Sequence, residues 1–233
     1  MTTTQQRRRA RKIQSIKDTA LALIAEDGID AFSIHRVADR LDLTVGALYR
    51  YYSSVDDLLS AVQIEVLEGF DRYLTDINDR VVEASPLRRL ITISYAYLAL
   101  EALQPERFRL IARFVSAPDP VLETRAAMGA MDVTRRLLGH LAALIAEAQR
   151  TGALSIGNPL DRSILVWSSL QGLAERQKLA TLDPELFHPE RLTRELLCTF
   201  LLGWGADGTT IYELLDTIPD RRFFEASLPD DDF

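Results

Sequence analysis

The 233-residue chain has one cysteine, two tryptophans and three methionines. A lone Cys198 excludes an intramolecular disulfide and suits a reducing compartment. Its neighbours are apolar, which makes it a core residue rather than a nucleophile. No apolar run is long enough to cross a membrane: residues 196–205 amount to about half of what a spanning helix needs. The basic start of the chain is not followed by an apolar leader, because Lys17, Asp18 and Glu26 interrupt it in the manner of an amphipathic helix. We therefore expect a cytoplasmic protein with no membrane partner. The three histidines, His35, His140 and His188, stand on different elements, and no carboxylate or cysteine completes a metal-ligand spacing around them. There is no glycine-rich phosphate loop. Neither an enzyme nor a cofactor or metal has residues behind it.

What is present is an uneven charge. The net charge is −7, yet residues 1–52 hold nine Lys/Arg against six Asp/Glu, and the remainder is strongly acidic. A basic head on an acidic body confines attraction for nucleic acid to one end. An apolar share of 47% is ordinary for a chain that buries a real core.

Helical periodicity runs throughout, and no strand alternation or internal repeat interrupts it. Residues 1–12 carry five positive charges, including Arg7, Arg8 and Arg9, and read as a disordered tail or an arm along phosphates. Ile13, Ile16, Ala20, Leu23 and Ile24 share one face of a first helix ended by Gly28. Ser54 caps a long helix to about Val82 that joins head to body, with Asp56 and Asp57 in its first turn. Further helices are expected over 86–103, 105–115, 121–150, 160–180, 190–204 and 209–215, with a chain break at residues 117–120. From Pro219 the chain reads as an acidic tail in which Phe223 and Phe224 offer a docking point. The expected division is an arm (1–12), a three-helix head (13–53), a helical body (54–218) and the tail (219–233).

Residues 33–58 organise the rest. Ile34, Val37, Ala38 and Leu41 fall at i, i+3, i+4 and i+7, one apolar face of a short helix preceded by Ser33 as N-cap candidate. Asp42 and Leu43 leave room for a tight turn, and Thr44 opens a second helix. There Leu48 and Tyr52 face inward, Gly46, Ala47 and Arg50 face outward, and Val45 and Tyr49 lie on the margins. A slim outward end lets backbone N–H groups approach a phosphate. This is a helix-turn-helix pattern, whose second helix enters a major groove. Arg50 is then a base reader or a solvated charge, since Arg bidentate to guanine is the commonest specific contact.

The same residues resemble the DNA-binding domain of the TetR family of transcriptional regulators. The matching run is Ser33-Ile34, Val37-Ala38, Leu43-Thr44, Gly46-Ala47-Leu48-Tyr49 and Tyr52, followed by Ser54, Asp57 and Leu58, within the first quarter of the chain. Three positions depart from the family pattern. Asp42 stands where Gly is usual, Tyr51 and Tyr52 where His then Phe are usual, and Val55 where Lys is usual. The resemblance implies an all-α protein, with a helix-turn-helix DNA-binding domain followed by a helical ligand-binding and dimerisation domain. It implies a phosphate contact for Tyr49 and a DNA-facing position for His35, and the Tyr51 hydroxyl can donate to a phosphate. Double-stranded DNA bearing an inverted-repeat operator is the expected partner, and a homodimeric repressor released by a small hydrophobic ligand the expected function. The departures at Asp42 and Val55 feed the alternative, a helical interaction protein whose degenerate head no longer binds DNA.

In the body, residues 196–204 are apolar almost all round, and a helix of that kind must be covered on every side. Leu197, Phe200, Leu201 and Trp204, with Leu165, Ser168 and Gly172 on the preceding helix, are the expected dimer interface. The resemblance points the same way, to a four-helix bundle made of two helices per subunit. It also implies an apolar cavity. For this we single out Tyr95, Phe108, Arg113, Met128, Met131, Trp167 and Gln171, with Gln171 orienting a ligand's polar end and Arg113 meeting an anionic group. Tyr97 and Phe114 belong to the same aromatic set.

Overall fold

A computed structural model describes residues 3–116 and 124–228, all helix and connecting turns. The helices in chain order are α1 (Thr3–Asp27), α2 (Ile34–Arg40), α3 (Val45–Leu48), α4 (Val55–Arg80), α5 (Pro86–Leu103), α6 (Pro105–Ser116), α7 (Thr124–Arg150), α8 (Pro159–Arg176), α9 (Pro189–Gly203), α10 (Gly208–Asp216) and α11 (Arg221–Glu225). Residues 117–120, residues 121–123 and the acidic end at Asp230–Asp232, for which a break, a helix start and a tail were expected, lie outside the described residues.

The helix boundaries follow their chemistry. Pro86 sits in the first turn of α5 behind Ser85, whose hydroxyl accepts from the Arg88 N–H at 3.3 Å. Ser54 accepts from the Asp57 N–H at 3.0 Å, while Asp56 and Asp57 complement the dipole of α4. Gly152, at φ +76°, closes α7 through bonds from Gly152 N to Gln149 O and from Ala153 N to Ala148 O. Ser33 occupies the N-cap position of α2, but its side chain makes no capping bond.

Two compact units emerge, Met1–Glu68 with Glu106–Val133, and Gly69–Pro105 with Thr134–Phe233. In the first, α1 packs on α2 and α2 on α3, around buried Ile16, Ala20, Leu23, Val37 and Leu48. Arg40 grips Glu26 with both guanidinium nitrogens, at 2.7 and 2.9 Å, and Lys17 meets Glu65 at 2.9 Å. The first turns of α1 are a correction to the sequence reading. Residues 3–12 are helical rather than a tail, because Gln, Arg, Ala and Lys are good helix formers and no Gly or Pro precedes Gly28.

In the second unit, Leu87, Leu90 and Ile91 of α5 meet Ile145 and Ala148 of α7, Leu197 and Leu201 of α9, and Ile211 and Leu215 of α10. Here too the reading is corrected at the chain's end. Phe224 is buried, α11 packs on α5, and Arg80 holds the segment by bonding Phe223 O at 3.1 Å and the Ser227 hydroxyl. An apolar pair on a short amphipathic turn was enough to dock what charge alone marked as a tail.

Candidate nucleic-acid interface and effector region

The turn before α3 is built on Asp42. Its φ is +51°, and no other non-glycine among the described residues has a positive value. Leu43 N bonds Ala38 O at 2.9 Å and Asp42 N bonds Asp39 O at 3.3 Å, the pair of bonds that closes a helix on a left-handed residue. The chain then enters α3 through Thr44, whose hydroxyl accepts from the Ala47 N–H at 3.2 Å. The helix itself is short: Tyr51 N and Tyr52 N both turn back onto Leu48 O, at 2.8 and 3.1 Å.

Beneath α3, Leu48 is fully buried. Above it, Thr44, Gly46, Tyr49 and Arg50 are exposed, while Val45, Ala47 and Tyr51 are partly so. His35 on α2 is exposed as well. A methyl group built on Gly46 would meet nothing within 4 Å, so packing within the chain does not demand glycine there. Arg7, Arg8 and Arg9 are exposed on α1, and the Arg9 guanidinium lies 5.8 Å from the centre of the Tyr51 ring. On the inward side the Tyr52 hydroxyl is buried without a hydrogen-bond partner among the described residues. Burial, and secondarily the Glu65 carboxylate, push its pKa up to about 12.

The expected effector residues do not come together as one set. Met128 and Met131 are 65% and 50% exposed, and Phe108 is buried in the first unit. The Arg113 and Phe114 side chains lie outside the described residues. Helical spacing groups apolar residues on a face but cannot say whether anything covers it, which is why the methionines were misplaced. In the second unit Trp167 and Gln171 do meet, through a residue the expectation left in the background. The Trp167 Nε1–H donates to the Tyr97 hydroxyl at 3.2 Å, that hydroxyl donates to Gln171 Oε1, and Gln171 Nε2 donates to Glu175 at 2.8 Å. Gln171 is thus engaged within the chain rather than waiting for a ligand. Burial raises the Tyr97 pKa and keeps its hydroxyl protonated. Tyr95, two residues earlier, points about 200° away on the same helix and lines a different cavity, of about 780 Å³.

The expected dimer residues also divide. Leu165 is 50% exposed and Ser168 is exposed, Gly172 is partly so, and Phe200 and Trp204 are partly buried and stacked at 5.2 Å. Leu197 and Leu201, each 1% exposed, are corrected: the chain's own core covers them, against α5 and α10. Apolar residues exposed on α8 and just before it include three the sequence reading did not select, Ile156, Leu160 and Ile164. Among the described residues no group of His, Cys, Asp or Glu could hold a metal ion, and no helix is long and apolar enough to cross a membrane.

Residues 16–62 match the family model of the bacterial regulatory proteins of the tetR family. No curated protein matches the chain. Its fold is similar to that of SmeT, the repressor of the Stenotrophomonas maltophilia multidrug efflux pump SmeDEF, at 19% identity, TM-score 0.62, and 89% and 96% coverage of this chain and that one. RolR in complex with resorcinol gives 17% identity, TM-score 0.62, and 92% and 98% coverage. FadR from Bacillus subtilis in complex with stearoyl-CoA gives 15%, 0.62, and 81% and 97%. These likenesses describe the fold, and the matched head describes the DNA-binding domain. With a head over residues 16–62 that matches the tetR-family model, on an all-helical body of the same fold as these regulators, the chain reads as a DNA-binding transcriptional regulator.

Proposed function

We propose that the chain acts in the cytoplasm as a homodimeric repressor, holding an inverted-repeat operator through α3 and releasing it when a hydrophobic small molecule binds the body. One observation carries the DNA half: exposed Thr44, Tyr49 and Arg50 surround the open space over Gly46, on a helix seated by buried Leu48. The space over Gly46 is open, and a phosphate backbone is the partner that fits a slim, donor-rich helix. Tyr49, Tyr51, Thr44 and His35 are assigned to phosphates, with Arg7, Arg8 and Arg9 reinforcing them. Arg50 is assigned to a base edge.

Support for the dimer comes from the apolar residues left exposed along α8, Leu160, Ile164 and Leu165, together with Leu202 on the adjoining α9. Two such rows related by a two-fold axis cover one another, and the same axis sets the operator's symmetry. The chain Trp167–Tyr97–Gln171–Glu175 is satisfied within the body, so support for the effector comes from the fold relatives. Resorcinol and stearoyl-CoA, in the structures of two of these relatives, each join an apolar part to polar groups. α4 and α7 each contribute residues to both units, so they are covalent routes by which a ligand's preference for one state reaches the head.

The test is Gly46→Leu. The side chain has open space in the free protein, so its thermal midpoint should match the parent's while binding to the DNA upstream of its own gene is lost. Unimpaired binding by a folded Gly46→Leu would overturn the assignment of α3.

A further inference from the structure

A cavity lies on the face of α5 opposite Tyr97. The cavity there, of about 780 Å³, falls within the roughly 300–1,000 Å³ typical of small-molecule sites. It belongs wholly to the second unit, between α5, the start of α9, the end of α10 and the segment through α11. Ala99, partly buried, and Ala102, exposed, line it from α5, and larger side chains on that face would occupy it.

Hydrogen-bond donors gather on the facing sides of α5 and the start of α9. Tyr95 lines the cavity and brings a phenolic hydroxyl to it. His188 Nδ1 accepts from the Arg191 N–H at 3.3 Å, which leaves the ring proton on Nε2 as a further donor. Arg191 donates to two backbone carbonyls, Glu185 O and Leu186 O, each at 2.9 Å, so these bonds leave its charge without a carboxylate. Arg194 is held against Asp216 at 2.7 Å and lies 5.8 Å from the centre of the Tyr212 ring. Acidic groups face the same space. Asp220 is engaged by the Phe223 N–H at 3.2 Å, and Glu190 sits in the first turn of α9. Asp216, with a side chain 67% exposed, is the removable one. An exposed ion pair contributes little, so another carboxylate can take its place at Arg194 without a large loss.

We propose that this cavity binds an amphipathic monocarboxylate, its apolar body over Ala99 and Ala102 and its carboxylate on Arg194 in place of Asp216. The site is separate from the Tyr97–Gln171 chain and does not depend on the repressor reading.

Isothermal titration of the full chain with sodium decanoate tests it, with decylammonium chloride as the probe of opposite charge. Decanoate should bind saturably and decylammonium should not. Ala102→Trp puts a bulky ring into the space that the apolar body would occupy, and Arg194→Gln removes the anion's partner; each should weaken decanoate about tenfold or more, a change of ~1.4 kcal/mol or larger. Asp216→Asn removes the internal competitor and should tighten binding. Circular dichroism confirms folding of each variant, and Arg194→Gln on the rim stands in if Ala102→Trp does not fold. DNA affinity measured without decanoate reads the repressor proposal independently. No saturable binding, equal affinity for decylammonium, or unchanged decanoate affinity in the folded variants would overturn the proposal.

Discussion

The Arg9 guanidinium lies 5.8 Å from the centre of the Tyr51 ring, joining the first turns of α1 to the turn that follows α3. The basic residues are therefore carried on a helix beside the recognition segment. Deleting residues 1–12 should make the slope of log affinity against log salt shallower by about 0.9 for each phosphate that is no longer neutralised. Arg9→Gln alone should weaken cognate and scrambled DNA equally. An unchanged slope in the deletion would show that the basic turns do not touch DNA.

The left-handed Asp42 is a site of stored strain, since a non-glycine residue there costs on the order of 1 kcal/mol. Asp42→Gly relieves that strain but adds about 0.5–1 kcal/mol of freedom to the unfolded chain, so it should raise the unfolding free energy by at most about 0.5 kcal/mol. Urea denaturation measures this, and a loss of stability would mean that the Asp side chain contributes more than its backbone costs.

Much of the architecture could be read because its signals are local. Ser54, Pro86 and Gly152 mark helix ends within a residue or two, and a tight turn at Asp42 and Leu43 follows from their place between two short apolar faces, while its glycine-like geometry is what the family resemblance implies. Pairings across long separations left no such trace. Tyr97 meets Gln171 74 residues away, and no pattern around either announces it. The interior of α9 was equally opaque: a helix apolar all round carries no periodic difference between core and interface. So Leu197 and Leu201 were placed on the wrong side, and Ile164 was not selected.

That division of residues predicts two distinct outcomes. Leu165→Arg should convert a dimer to monomers in sedimentation equilibrium while the subunits remain folded. Leu197→Ala should leave stoichiometry unchanged but destabilise the chain by about 2–5 kcal/mol, the usual loss for a buried leucine. A Leu165→Arg protein that stays dimeric would move the interface away from α8.

Burial of the Tyr52 hydroxyl gives an alkaline signature. Its pKa rises from 10.0 to about 12 on folding, so the folded state holds the proton more tightly than the unfolded one. The sign follows from linkage: this contribution is complete below pH 10 and is lost as pH climbs through about 12. Tyr52→Phe should flatten that part of the stability profile and, by removing a hydroxyl buried without a partner among the described residues, raise stability at neutral pH. Chemical denaturation across the alkaline range checks both, and an unchanged alkaline slope in Tyr52→Phe would contradict the assignment.

The central claim is that two copies of this chain read DNA through α3, and footprinting on the DNA upstream of its own gene tests it most directly. The account predicts protection of one inverted repeat. With Arg50→Ala it predicts a loss of about 1–3 kcal/mol on that site and little on scrambled DNA. Protection of a single asymmetric half-site, or equal binding to cognate and scrambled DNA by the parent chain, would contradict it.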